Sequence, residues 1–291
     1  MKKAFDRAFT VLIAALTAVS AAALAFVIFF IVKEALPLFE TVSLKDFLLG
    51  QRWMPIAYTG SVSFGIANFI AGTLYVSFAA MVLALFFSLG CAVYLSCVAT
   101  DRQRSLLYPV IDLLAGIPSV VYGFIGIVVL LKLMMKLGVR TGSCVLAAAI
   151  VLAIMLLPYL ISGCSESMLK MKNRYMPASD AMGISQWHAM AEIVIPAAWK
   201  NILLTMVLAV GRAMGETMAV MMVLGNANMI PRLLGKGETI AAVIALEMGT
   251  AEYGSDHYHA LYAASMVLML LLFVINIAIS LLRKRLLEKE V

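Results

Sequence analysis

The stretch GRAMGETMAVMM, Gly211 to Met222, sets an arginine and a glutamate four residues apart in a run otherwise fit for lipid. The flanks, NILLTMVLAV before it and VLGN after it, hold no other charge. A charged side chain at the centre of a bilayer costs about 2.5–3.5 kcal/mol on insertion scales, so something must compensate. Residues at i and i+4 share a helix face, and Arg212 and Glu216 can therefore pair within one span. Gly211 and Gly215 form a GxxxG, which lets another helix approach closely. Two readings stay open. One is a buried ion pair that fixes helix packing. The other is a cation beside a polar path, since ionisable residues inside a membrane are pathway candidates. A guanidinium offers planar, bidentate donors to an oxyanion. Glu216 would restrain it and keep the attraction moderate, as release requires.

A second candidate is Gly116-Ile117-Pro118-Ser119, which interrupts another apolar run. Proline inside a helix frees a backbone carbonyl, and broken membrane helices commonly line a cavity. Ser119 and Tyr122 could offer hydroxyls there, and a kink for packing alone is an equal alternative. Asp112 is expected to cap the inner end of that span. Other chemistry is thin. Cys91, Cys97, Cys144 and Cys164 lie inside apolar runs with no CxxC pair, which suggests neither a disulfide framework nor zinc. No HExxH is present, and His257 and His259 read as an exposed loop pair rather than a metal site. No catalytic residue and no metal ligand is assigned.

The elements that must position these residues follow from composition. Of 291 residues, 64% are hydrophobic and 13% charged, with a mean hydropathy of +1.01. Soluble domains run near 45–50% apolar, so this is an integral membrane protein. The formal charge of +6 falls mainly in short blocks beside apolar runs, which orients a chain in a bilayer rather than binding nucleic acid. Apolar runs at 8–32, 71–98, 113–131, 141–165, 201–225 and 260–282 each reach about the 20 residues a helix needs to cross the hydrocarbon. The first is longer than a signal-peptide core and is read as a retained span. The fold class is all-α, a polytopic membrane protein with about six transmembrane helices.

Six spans put both termini on one side. With the N-terminus inside, thirteen Lys and Arg fall on inner segments against eight on outer ones, favouring cytoplasmic termini. Trp53, Trp187 and Trp199 lie outside the apolar centres and are expected at the interface. TIAAVIALEMG, within 226–258, suits an interfacial or re-entrant helix better than a span. Two units are expected: 1–70, an N-terminal helix and outer loop, and 71–291, the main transmembrane domain.

The inner loop SMLKMKNRYMPASDAMGISQWHAMAEIVIPAAWKN, 167–201, reads as short helices punctuated by glycine and proline. Ser179 or Asp180 would cap one helix, Gly183 would interrupt it, and Pro196 would close the segment. The spacing Ala178-Ser179, three residues, Gly183, nine residues, then Ile193-Val194-Ile195-Pro196 resembles the EAA loop of ABC-importer permeases. Two departures stand out, Pro177 at the glutamate position and Ile195 at the leucine position. GRAMGETMAVMMVLGN and LLAGIPSVVYGFIG look like segments of the phosphate-specific permeases, closer to the PstC type than to the PstA type.

The resemblance implies a type I ABC-importer permease fold and transport of phosphate past Arg212 and Glu216. It further implies a second homologous permease subunit, two copies of a cytoplasmic ATPase docked at about 167–200, and an extracytoplasmic phosphate-binding protein. The setting implied is the bacterial inner membrane. The chain itself is expected to bind no cofactor. A P-loop needs GxxxxGK[ST], and the lone Gly235-Lys236 pair has Ile230 and Gly237 at the other required positions. ATP would thus be used on a separate polypeptide. A membrane-embedded enzyme using Glu216, Asp112 or a histidine is the main rival, and no nucleophile–base motif supports it. A permease for sulfate or molybdate and a passive channel are the others.

Overall fold

A computed structural model of the chain describes residues 2–56 and 62–288. The first helix, α1 (Lys2–Ala35), is followed by the short α2 (Leu38–Thr41) and α3 (Leu44–Leu49). A two-stranded antiparallel ribbon, β1 (Trp53–Met54) with β2 (Ser63–Phe64), pairs Trp53 with Phe64. Then come α4 (Ala67–Val93), extended by a π-turn over Tyr94–Val98, α5 (Asp101–Ala115) and α6 (Ser119–Ile125). A second π-turn, Gly126–Leu130, joins α6 to α7 (Leu131–Lys136). The longest element, α8 (Val145–Ala181), turns into α9 (Gln186–Ala189), which runs through a third π-turn (Met190–Val194) into α10 (Ile195–Gly215). The short α11 (Met218–Leu224) and α12 (Ile240–Glu247) precede α13 (Asp256–Glu288).

Among the described residues six helices are long and apolar enough to cross a membrane: Phe9–Thr41, Ala67–Val98, Ser119–Lys136, Val145–Ala181, Gln186–Gly215 and Asp256–Ala278. They match the six expected runs, with one shift of substance. The fifth starts at Gln186 and stops at Gly215, where 201–225 was expected, because the chain breaks beside the charged pair. The side chains of Lys2, Lys3, Arg7, Arg283, Lys284 and Arg285, and Lys289 altogether, lie outside what the structure describes.

The main core is built from α4, α8, α10 and α11. Small side chains on α4 and α8, such as Ala80, Ala84, Ala148 and Ala149, are buried in it. Helices with small residues on their facing sides can approach closely, which is how packing is gained where lipid supplies no hydrophobic drive. A second core sits at the end where α8 begins and gathers Leu38, Phe47, Trp53, Phe69, Ile240, Val243 and Leu261. The helix α1 packs on α13, with Phe30 edge-on to Tyr262 at 5.6 Å.

That second core corrects two expectations. Trp53 is not an interfacial anchor. It is 9% exposed, lies edge-on to Phe64 and Phe69, and donates from Nε1 to Glu247 Oε2 at 2.8 Å. Nor are His257 and His259 an exposed loop pair. They lie in the first turn of α13, where His257 Nε2 meets Glu247 Oε2 at 2.8 Å and His259 Nδ1 meets the Glu34 carbonyl at 2.7 Å. Each imidazole gains a partner inside a packed cap that sequence spacing does not reveal. Trp187 and Trp199 do stand exposed. The segment TIAAVIALEMG forms α12, eight residues long and too short to span.

Candidate functional site

The helix α10 ends at Gly215, and Glu216 is extended, with φ −71° and ψ 120°. The chain resumes as α11 at Met218. Glu216 Oε1 accepts a hydrogen bond from the Ala219 N–H at 3.2 Å, so its carboxylate caps the first turn of α11. The expected i, i+4 pairing of Arg212 with Glu216 is therefore corrected. The helix that would align them ends between them, and the carboxylate turns forward to unsatisfied N–H groups and the positive end of the next helix. Among the described residues no carboxylate forms a salt bridge with Arg212. Its side chain lies on the surface of this chain.

A second break faces the first. The helix α5 ends at Ala115, with the Gly116 N–H bonded to the Asp112 and Leu113 carbonyls, both at 3.1 Å. Pro118 stands immediately before α6. The interruption expected at 116–119 is present, but Pro118 is not inside a helix. It occupies a start position, where its missing N–H leaves no bond unmade. Asp112 lies in the last turn of α5 and does not cap the third span. Tyr122 Oη donates to the Leu114 carbonyl at 2.8 Å, tying α6 back to the end of α5. Ser119 is half-buried, and its hydroxyl makes no hydrogen bond among the described residues.

The breaks are held together by α6 packing on α11. A Cβ added at Gly123 would lie 2.6 Å from Met222 Sδ and 3.1 Å from Ala219 Cα. At Gly126 it would lie 2.7 Å from Val223 and 2.9 Å from Val151, so α8 closes the same contact. The Arg212 guanidinium is near enough to act electrostatically on both the Tyr122 and Tyr159 hydroxyls. Tyr159, on α8, escaped the sequence reading; the only signal was a phenol beside Pro158 within an apolar run. A cation that forms no salt bridge among the described residues, with the Tyr159 phenol within its electrostatic reach, offers donors suited to an oxyanion, while the Tyr122 hydroxyl is already committed to the Leu114 carbonyl. Among the described residues no group of His, Cys, Asp or Glu is placed to hold a metal.

Among the described residues no other helix packs against Gly211 or Gly215: a Cβ on either would meet nothing within 4 Å. Gly215 and Arg212 are both exposed on this chain, and Gly211 is half-buried.

The far end of α8 carries the second functional region. The helix continues past the expected cap at Ser179, because a long helix propagates more readily than a new one nucleates. Ser179 is buried and its hydroxyl donates back to the Tyr175 carbonyl at 3.1 Å. Gly183, at φ +71°, ends the rod in a left-handed turn, as its residue type permits. Ser185, not Ser179 or Asp180, caps the next helix by accepting from the His188 N–H at 3.4 Å. Pro196 does not close the segment, since α9, the π-turn and α10 form one rod through Ile193 and Pro196. The π-turn supplies the widened backbone that a residue without an N–H needs. Ala178, Met182 and Trp187 are exposed at this turn, over a small core of Met176, Ala189, Met190 and Val194.

An all-α membrane chain with paired helix breaks and an exposed turn at one end defines a permease-like class. Residues 89–288 match the family of binding-protein-dependent transport system inner membrane components, and the chain belongs to that family. It is 32% identical to a probable ABC transporter permease, YqgH of Bacillus subtilis, over 84% of this chain and 79% of that protein. It is likewise 32% identical to the phosphate transport system permease PstC of Xylella fastidiosa, over 92% of this chain and 90% of that one. The fold matches a chain of the inward-facing MetNI methionine ABC transporter at a TM-score of 0.58 and 15% identity, covering 76% of this chain and 95% of the other. The protein is a multi-pass inner-membrane permease of the ABC-importer type.

Proposed function

We propose that this chain is one of two homologous permease subunits of an ATP-driven importer of inorganic phosphate, of the PstC type. The observation that carries the reading is Arg212 at the α10 break, exposed, with no salt bridge to a carboxylate among the described residues and within electrostatic reach of the Tyr122 and Tyr159 hydroxyls. A single planar cation attracts a tetrahedral anion without the multiple charges that would trap it. The choice of phosphate over other oxyanions rests on likeness to permeases that carry that name.

ATP is hydrolysed on a separate cytoplasmic protein, two copies of which dock at 167–200. The exposed Met182 and Trp187 beside Gly183 give that end an apolar contact surface. Both termini then face the cytoplasm, as the distribution of basic residues favours. The second permease covers the open face of Gly211 and Gly215, and an extracytoplasmic phosphate-binding protein delivers the anion at the α12 end. ATP binding closes the two ATPases, the α8–α9 turn moves, and the helix breaks switch their access from one side to the other.

The test is phosphate uptake into vesicles that hold the assembled complex. Uptake that depends on ATP and is not displaced by sulfate or molybdate is expected. Arg212→Gln should abolish it while the complex still purifies intact. Normal uptake by that variant would overturn the pathway role.

A further inference from the structure

At the α12 end of the molecule, away from the α8–α9 turn, lies a cavity of about 540 Å³. Its walls come from two turns. One follows α7 and is shaped by Gly138 at φ +94° and Gly142 at φ +74°. The other is the 232–237 turn, whose Gly235 and Leu233 carbonyls accept from the first N–H groups of α8, at 2.9 and 2.8 Å. The long helix thus fixes both walls.

Arg140, Lys236, Thr141 and Ser143 line the cavity, with Leu137 and Leu234 among the apolar residues beside them and no carboxylate in the lining. Among the described residues neither cation forms a salt bridge, and neither hydroxyl makes a hydrogen bond. Two like charges are held at one cavity with no carboxylate of the described residues bridged to either. Lys236 is placed there by packing: a Cβ on Gly225 would lie 2.9 Å from its Cγ and 3.0 Å from Ser143 Cβ. Gly225, at φ +96°, is the C-terminal cap of α11. The seven residues of α11 span about 10 Å at 1.5 Å per residue, so one short helix has the Glu216 break at one end and this cavity at the other.

We propose that the cavity is a second anion site, distinct from the Arg212 break, that takes a phosphate group through Arg140 and Lys236 with the Thr141 and Ser143 hydroxyls as further donors. The role follows from the oxyanion-import reading and rests on it, namely a first stop where an anion is concentrated before it reaches Arg212. The same donors suit a free phosphate ion and the phosphodiester of an anionic lipid, whose acyl chain would lie along Leu137 and Leu234.

The test uses the purified complex carrying Arg212→Gln, which removes the pathway site, in nanodiscs. Inorganic phosphate is the first probe, read by broadening of its phosphorus resonance in nanodiscs of phosphatidylcholine alone. Broadening that weakens about tenfold when Arg140→Gln and Lys236→Gln are added, and returns with Arg140→Lys and Lys236→Arg, supports a free-ion site. No broadening, but phosphatidylglycerol retained by the parent in native mass spectrometry and lost by the double glutamine variant, supports a headgroup site. If the double variant changes neither readout, the proposal is overturned, whereas the import reading falls only if the wild-type complex fails to move phosphate.

Discussion

Gly123 lies so close to Met222 that a Cβ on the glycine would come within 2.6 Å of the methionine sulfur. This contact fastens α6 to α11 and so sets the two helix breaks side by side. Gly123→Ala should be tolerated with a loss of about 1–3 kcal/mol, because the far end of methionine can move. Gly123→Leu must displace the Ala219 backbone as well, and should abolish transport. Thermal unfolding of the complex and uptake, measured on both variants, check the order.

Glu216 combines a charge with a helix cap, and two substitutions separate them. Glu216→Gln keeps an oxygen for the Ala219 N–H and should leave stability nearly unchanged, while altering phosphate affinity because the carboxylate between α10 and α11 is neutralised. Glu216→Ala also loses the cap and should cost about 1 kcal/mol. Equal melting temperatures for the two variants would remove the capping role.

Tyr122 ties the start of α6 to the Leu114 carbonyl. Tyr122→Phe should destabilise by about 0.5–1.5 kcal/mol and loosen the break at Gly116–Pro118. Faster amide hydrogen exchange confined to residues 114–122 is the expected signature.

Gly183 has open space about its Cα, so only its backbone conformation opposes a side chain there. Gly183→Val should cost at least about 1–2 kcal/mol locally and lower ATPase co-purification, whereas Gly183→Asn, which visits the left-handed region readily, should retain it. Pull-down of the ATPase with each variant decides.

Glu238 is buried beside Thr73 and α12, and burial together with the nearby Glu247 carboxylate pushes its carboxyl from 4.5 up to about 7. The native state therefore holds a proton that the unfolded chain releases earlier. Its contribution to stability is full below the unfolded value and is lost as the pH rises through about 7. Glu238→Gln should raise the melting temperature of the complex at about pH 8 and flatten its fall between about pH 5 and pH 8. A profile unchanged by the substitution would contradict this assignment.

The sequence by itself determined the membrane class, the six spans, the interruption at 116–119 and the glycine that turns the chain at 183. Each is written in local quantities: apolar length, the missing N–H of Pro118, the φ freedom of Gly183. It also singled out Arg212, because a charge in an apolar run is conspicuous without coordinates. The tertiary structure alone decided where that charge's neighbours lie. Glu216 shares a helix face with Arg212 only if the helix continues, and the helix stops at Gly215, where the carboxylate turns forward to cap the next helix start. Trp53, His257 and Tyr159 were misread or missed for a related reason. Their partners Glu247 and Arg212 lie on other elements, 194 residues away for Trp53 and ten for His257, and only the packing of α12, α13 and the helix breaks brings them within reach.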